Sequence, residues 1–160
     1  MLNEAVGDGV EHPFLNISRT DDEEMNYIFN SCDVYINMAS NEGFGLGSCE
    51  MLHTGGVIVV NVTGGLQDQC GFKNEKGDYL TAEDYVELKS NHRGTYTRHG
   101  EWVKPVFPSN ISCQGSPLTP YIFDDRCQYD DVGDALLSWY LRTRRTRKMW
   151  ETWSRVCTKK

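Results

Sequence analysis

Asn41-Glu42-Gly43-Phe44-Gly45-Leu46-Gly47-Ser48-Cys49-Glu50 is the stretch that decides how this chain is read. Two carboxylates stand eight positions apart across a glycine-rich turn, and the second falls where a helix is expected to begin. Just upstream, Asp33-Val34-Tyr35-Ile36-Asn37-Met38 has the β-branched and aromatic make-up of a short buried strand that ends against Ala39-Ser40. The order strand, glycine turn, helix lets backbone N–H groups approach an anion closely, with the positive end of the helix dipole behind them. In outline this is a phosphate-facing site.

A second turn of the same kind follows one strand later. Val57-Ile58-Val59-Val60-Asn61 is a continuous apolar run, as expected of a parallel strand covered on both faces. It leads into Thr63-Gly64-Gly65-Leu66-Gln67-Asp68, read here as a glycine loop. In an open α/β sheet, ligands bind beyond the carboxyl ends of the strands. Amides from Gly43 to Leu46, and those around Gly64 and Gly65, are the groups that could hold a diphosphate there without a metal.

Taken in order, Asp33-Val34-Tyr35-Ile36, then Ser40-Asn41-Glu42-Gly43-Phe44-Gly45-Leu46, then Glu50-Met51 before Gly55-Gly56-Val57-Ile58-Val59 and Gly64-Gly65-Leu66, form an ordered set of motifs. The set resembles the C-terminal, nucleotide-sugar-binding half of retaining GT-B glycosyltransferases, family 4 (group 1) in particular, and spans residues 14 to 72. The resemblance implies an α/β fold, a Rossmann-like parallel sheet with flanking helices that forms part of a GT-B C-terminal half. The implied activity is transfer of a sugar from a nucleotide-diphosphate donor, with retention of configuration, to an acceptor the sequence does not identify.

By the same resemblance, Glu42 is the catalytic candidate, facing the donor sugar near the reacting carbon. Gly43, Phe44, Gly45, Leu46, Gly64 and Gly65 surround the sugar and diphosphate. Glu50 takes hydrogen bonds from the ribose hydroxyls, a task for which a carboxylate with two acceptor oxygens is apt. No cofactor and no metal are expected. Plainer readings stand beside these: an acid early in a helix is favoured by the dipole alone, and Glu42 could be a solvated turn residue. Gln67 and Asp68 either line the same cleft or do not, and His53, His92 and His99 read as packing or surface residues.

The chain departs from the family pattern in two places. The segment before Phe14 carries no lysine or arginine and is too short for the βαβ unit that grips the diphosphate, and most of the closing helix is missing. Residues 1–160 are therefore expected to form a single, incomplete donor-binding domain that needs an acceptor-binding half, from a complementary subunit or a homo-oligomer. The alternative is a non-catalytic or degenerate nucleotide-sugar-binding module, whose exposed sheet edge and tryptophan-bearing C-terminus serve association.

Length and charge narrow the classes. A chain of 160 residues can bury one core, and a net charge of −7 opposes non-specific attraction to nucleic acid or anionic membranes. No stretch has the length of a membrane-spanning helix, and Met1 to Asp8 lacks the blocks of a signal peptide. A cytoplasmic protein is expected. Cys32, Cys49, Cys70, Cys113, Cys127 and Cys157 have no metal-ligand spacing and read as reduced thiols. The sequons at Asn16, Asn61 and Asn110 read as chance matches.

The remaining elements follow from pattern. Pro13-Phe14-Leu15-Asn16-Ile17 reads as a strand, and Thr20 or Asp21 as the cap of a helix with Met25, Ile28 and Phe29 on its apolar face. A short helix is expected over Ser48 to Thr54, and another starting at Thr81-Ala82-Glu83-Asp84. The result is a βαβαβ alternation with right-handed crossovers. Residues 91–123, with four of the five prolines, read as a long irregular insertion. It is either an ordered flap beside the site or a clasp over sheet edges. Asp130 or Asp131 then caps a helix from Val132 to about Arg145, with Val132, Leu136, Trp139 and Tyr140 as its docking stripe. The basic run Arg142 to Lys148 reads as a solvated helix end.

Overall fold

The computed structural model describes residues 20–88 and 91–142. The expected strand at Pro13–Ile17, the basic run beyond Arg142 and the stretch holding Trp150 and Trp153 lie outside them. Helix α1 (Asp22–Ser31) begins at Asp21, whose carboxylate accepts the Glu24 N–H at 2.8 Å. Asp22, Glu23 and Glu24 fill its first turn, where negative charge offsets the helix dipole. Phe29 is its buried contact and Met25 packs partly against the core, while Ile28 stays on the exposed side.

Strand β1 (Val34–Asn37), helix α2 (Leu46–His53) and strand β2 (Val57–Asn61) follow. β1 and β2 pair in parallel with Val34 opposite Val57. The short helix α3 (Gly64–Gln69) follows β2 closely, so the stretch read as a loop is largely helical after Gly64, which takes the left-handed φ of +46° that glycine allows. Helix α4 (Ala82–Leu88) starts where Thr81 and Asp84 bond each other reciprocally, side chain to backbone, as a capping pair does.

Residues 91–123 differ from the irregular insertion expected. They contain strand β3 (Val103–Val106), which joins β2 in parallel and makes the sheet order β1-β2-β3. They also contain most of an antiparallel hairpin, β4 (Asn110–Ser116) and β5 (Thr119–Arg126). Pro105 hides β3 from a sequence reading, because proline argues against a central strand and is tolerated on an edge. The hairpin is hidden because nearly every residue of β4 and β5 is exposed, leaving no two-residue alternation of polarity to find.

Helix α5 (Tyr129–Arg142) begins three residues earlier than the pattern placed it, with Asp130 and Asp131 in its first turn rather than at the cap. Its docking stripe is buried Trp139 with the partly buried Val132, Ala135 and Leu136, and the expected Tyr140 is 79% exposed. The two faces of β2 then separate two cores. Ile58 and Val60 meet Met51 and Leu52 of α2 and Phe29 of α1 on one side. Val59 meets Trp139 of α5 and Val106 on the other. Among the described residues the fold is thus α/β, a three-stranded parallel sheet flanked by helices, compatible with a Rossmann-like arrangement. Among the described residues no helix is long and apolar enough to cross a membrane.

His92 packs into the first core, as the packing reading allowed. Its ring is 2% exposed, meets Phe72 edge-on at 4.2 Å between centroids, and touches Tyr96 and Phe107. Burial holds its pKa below the ordinary 6.5. The unfolded chain takes up that proton near pH 6.5, so the stability tied to a neutral His92 is complete above that value. It falls as the pH drops from there towards the folded pKa. His92→Phe should remove this component: urea melts between pH 7.5 and 5.5 should show wild type losing stability with a slope of up to about 1.4 kcal/mol per pH unit more than the variant.

Candidate functional site

The carboxyl ends of β1 and β2 are neighbours, so the turns leaving them emerge side by side. The first turn runs from Ala39 to Gly45 and the second from Val62 to Gly65. They are joined by a direct bond: the Gly65 N–H donates to the Glu42 carbonyl oxygen at 3.0 Å. A Cβ on Gly64 would stand 2.0 Å from that same oxygen, and one on Gly65 would stand 2.3 Å from the Gly43 oxygen. Neither position has room for a side chain. Gly45, at φ +82°, turns the chain into α2 beneath Leu66 and Gln69 of the second segment.

Gln69 adds a second tie, because its side-chain N–H group donates to the carbonyls of Phe44 and Gly45, the latter at 3.1 Å. The outward side of the first turn stays open. Phe44 is 55% and Leu46 69% exposed, and nothing lies within 4 Å of where a Gly43 Cβ would point. The sequence placed Gly43 to Leu46 and Gly64 to Gly65 around one ligand, and the two sets do meet.

Their amides are not equivalent. The Gly64 N–H is given to the Asn91 side-chain oxygen at 2.9 Å, and the Gly65 N–H is the one held by Glu42. Both are spent inside the protein and leave nothing to offer an anion. In the first turn the Phe44 N–H reaches back to the Glu42 carboxylate at 3.4 Å, a long bond. The amides of Gly43, Gly45 and Leu46 meet no acceptor among the described residues.

Tyr35 relates the two acids. Its pKa is raised above 10.0 chiefly by burial, then by the charges of Glu42 and of Glu50. One phenol therefore lies within electrostatic reach of both carboxylates. The hydroxyl passes directly over Gly47, where an added Cβ would sit 2.5 Å from it. Glu50 is exposed one turn into α2 and Glu42 is half-buried at the inner side of the turn. Of the two residues left open for the cleft, Gln67 points inward, donating to Asn91 at 3.0 Å, and Asp68 is exposed on α3. Among the described residues no group of His, Cys, Asp and Glu is arranged to hold a metal.

Sequence reasoning missed a second layer. Asn91 and Arg93, from the insertion, and Asp125, just past it in β5, close over the second turn. Asp125 is 8% exposed and accepts from Thr63 at 2.9 Å, from Arg93 at 2.9 Å and from Asn91. Its backbone also bonds the first turn, Asp125 N–H to Ser40 oxygen at 2.8 Å, while the Asn61 side chain donates to the carbonyls of Asp125 and Ala39. The sequence clue is Asn61 at the end of an apolar run; the structure buries it fully, and a buried amide demands partners. Comparison with family models, with curated proteins and with solved structures finds no match for this chain.

The contact between the turns gives a direct expectation. Gly65→Ala should separate them, because the new Cβ meets backbone rather than a yielding side chain. The variant should lose about 2–4 kcal/mol in urea unfolding, a range set by overpacking and a broken buried bond. Gly43→Ala, facing open space, should lose less than about 1 kcal/mol.

Proposed function

We propose that this chain is the donor-binding part of a retaining GT-B glycosyltransferase of the family 4 type. The observation that carries the reading is the junction of the turns: the Gly65 N–H on the Glu42 oxygen, beside a first turn whose Phe44 and Leu46 are exposed. The two acids keep the order and spacing of the motif, and the open turn lies at the carboxyl edge of a parallel sheet, the usual place for a ligand in such folds.

Sugar transfer from a nucleotide diphosphate requires a grip on the nucleoside, neutralisation of the departing diphosphate and stabilisation of positive charge on the ring. In this reading Glu50 accepts from the ribose hydroxyls, and the amides of Gly43, Gly45 and Leu46, which meet no acceptor among the described residues and are backed by the start of α2, face the diphosphate. Glu42 faces the sugar, where a carboxylate both orients hydroxyls and offsets positive charge as the bond to phosphate breaks. Gly64 and Gly65 act indirectly, by setting where Glu42 stands. The acceptor side comes from a complementary half or a second copy, and the compartment is the cytoplasm.

A second reading, an association module without transfer activity, is favoured by the hairpin: Leu118, Tyr121 and Phe123 are 92%, 77% and 60% exposed near its end. Nucleotide binding separates the two. UDP, GDP or ADP at one hundred times its Kd should add about 2.7 kcal/mol of stability, read as a rise in Tm; no rise with any of the three sets aside the transferase reading. Glu50→Ala should weaken nucleoside-diphosphate binding about tenfold or more. Glu42→Ala should leave that binding within about threefold and lose the added affinity for the nucleotide-sugar. Equal losses in calorimetric titrations would reverse the assignment of roles.

A further inference from the structure

We infer that Asn91 and Asp125 are positioning residues for Glu42, which makes the hairpin β4–β5 part of the machinery that shapes the donor site. The inference rests on the donor-site reading above and extends it to residues outside the glycine motifs.

The bonds run in one line. Asp125, near the end of β5, holds the Asn91 amide N–H group on one carboxylate oxygen, which also accepts from Thr63 at 2.9 Å. Its other oxygen is paired with Arg93 at 2.9 Å, so the carboxylate is fixed from both sides. The Asn91 side-chain oxygen then accepts two bonds, from the Gly64 N–H at 2.9 Å and from Gln67 at 3.0 Å. The next amide in the chain, that of Gly65, carries the 3.0 Å bond to the Glu42 carbonyl. A carboxylate on the hairpin is thereby linked to the backbone of the proposed catalytic acid through one asparagine and two glycines.

Residue chemistry explains why this line positions rather than merely packs. An asparagine presents a donor and an acceptor on one rigid amide, so it can face a carboxylate on one side and a backbone N–H on the other. Gly64 sits at φ +46°, a conformation open to glycine among many others, and the bond of its N–H to Asn91 helps to hold it there. The bonds to an ionised carboxylate are stronger than neutral ones, and a buried acceptor deprived of them is costly. Hairpin and sheet are further locked by Asp125 N–H on Ser40, at 2.8 Å, in the same turn that carries Glu42.

The test uses the full chain and three proteins: unaltered, Asn91→Ala, and Asp125→Asn as the gentler change should the first fail to fold. Amide hydrogen exchange is read at Gly64 and Gly65 against Val59 and Val60 in β2. Binding of each nucleoside diphosphate and of its nucleotide-sugar is read by calorimetry. Exchange at Gly64 and Gly65 should rise about tenfold, the equivalent of one lost bond, with β2 unchanged. The affinity gained from the sugar should fall about tenfold while the bare diphosphate changes less than about threefold. Faster exchange with an unchanged sugar-to-diphosphate ratio would mark a purely structural role and overturn the inference. So would unchanged exchange in a folded variant. Absence of nucleotide binding by the unaltered chain would instead overturn the donor-site reading beneath it.

Discussion

The bond from the Gly65 amide to the Glu42 carbonyl is the constraint on which the architecture of this site depends. Parallel strands lie about 4.8 Å apart, so turns leaving adjacent carboxyl ends always emerge as neighbours. Whether they touch is another matter. Here they do, because Gly64 and Gly65 carry no Cβ where one would collide with the oxygens of Glu42 and Gly43. The conformation of one turn is therefore set by the other, and the position of Glu42 is a property of the pair.

The same contact changes what the second turn can do. A glycine turn opening a helix ordinarily offers its amides to an anion. In this chain the amides of Gly64 and Gly65 are already bonded to Asn91 and Glu42, so their contribution is geometric. The open first turn, with Phe44 and Leu46 on its rim, is left as the surface where a ligand would meet backbone N–H groups. A division of labour between an exposed turn and a buttressing one follows from hydrogen-bond accounting, since a buried amide can satisfy only one acceptor well.

The hairpin is attached by its base. A two-stranded hairpin is marginal on its own, and β4 and β5 are mostly exposed along their length. Near its base, Asp125 is buried and bonded by side chain and backbone to both turns and to Arg93. Asn61, fully buried at the end of β2, reaches the same residue. Taking a carboxylate out of water is costly unless its oxygens are filled, and here Thr63, Asn91 and Arg93 fill them. The element that read as an insertion is thus tied to the sheet at the edge where the proposed chemistry lies.

Local pattern was enough for α1, β2 and α4, because each carries a cap, a periodicity or an apolar run within a few residues of itself. It also placed α2 and β1, though α2 starts two residues before the expected Ser48 with no side-chain cap and β1 is half-buried rather than buried. Asp21 before three acids, Val57 to Val60 without a polar break, and Thr81 three residues before Asp84 are signals that need no distant partner. Pattern also put the two glycine turns at one sheet edge. It did not show β3, whose Val103-Lys104-Pro105-Val106 becomes a strand only because β2 offers it an edge, nor the helical course of Gly64–Gln69. It could not pair Asn91 with Asp125, 34 positions away. The sequence by itself determined the acids, the glycines and the alternation that orders them. Only the tertiary structure decided which amides are engaged and what holds Glu42 in place, because hydrogen bonds between segments far apart in the chain depend on closure of the fold.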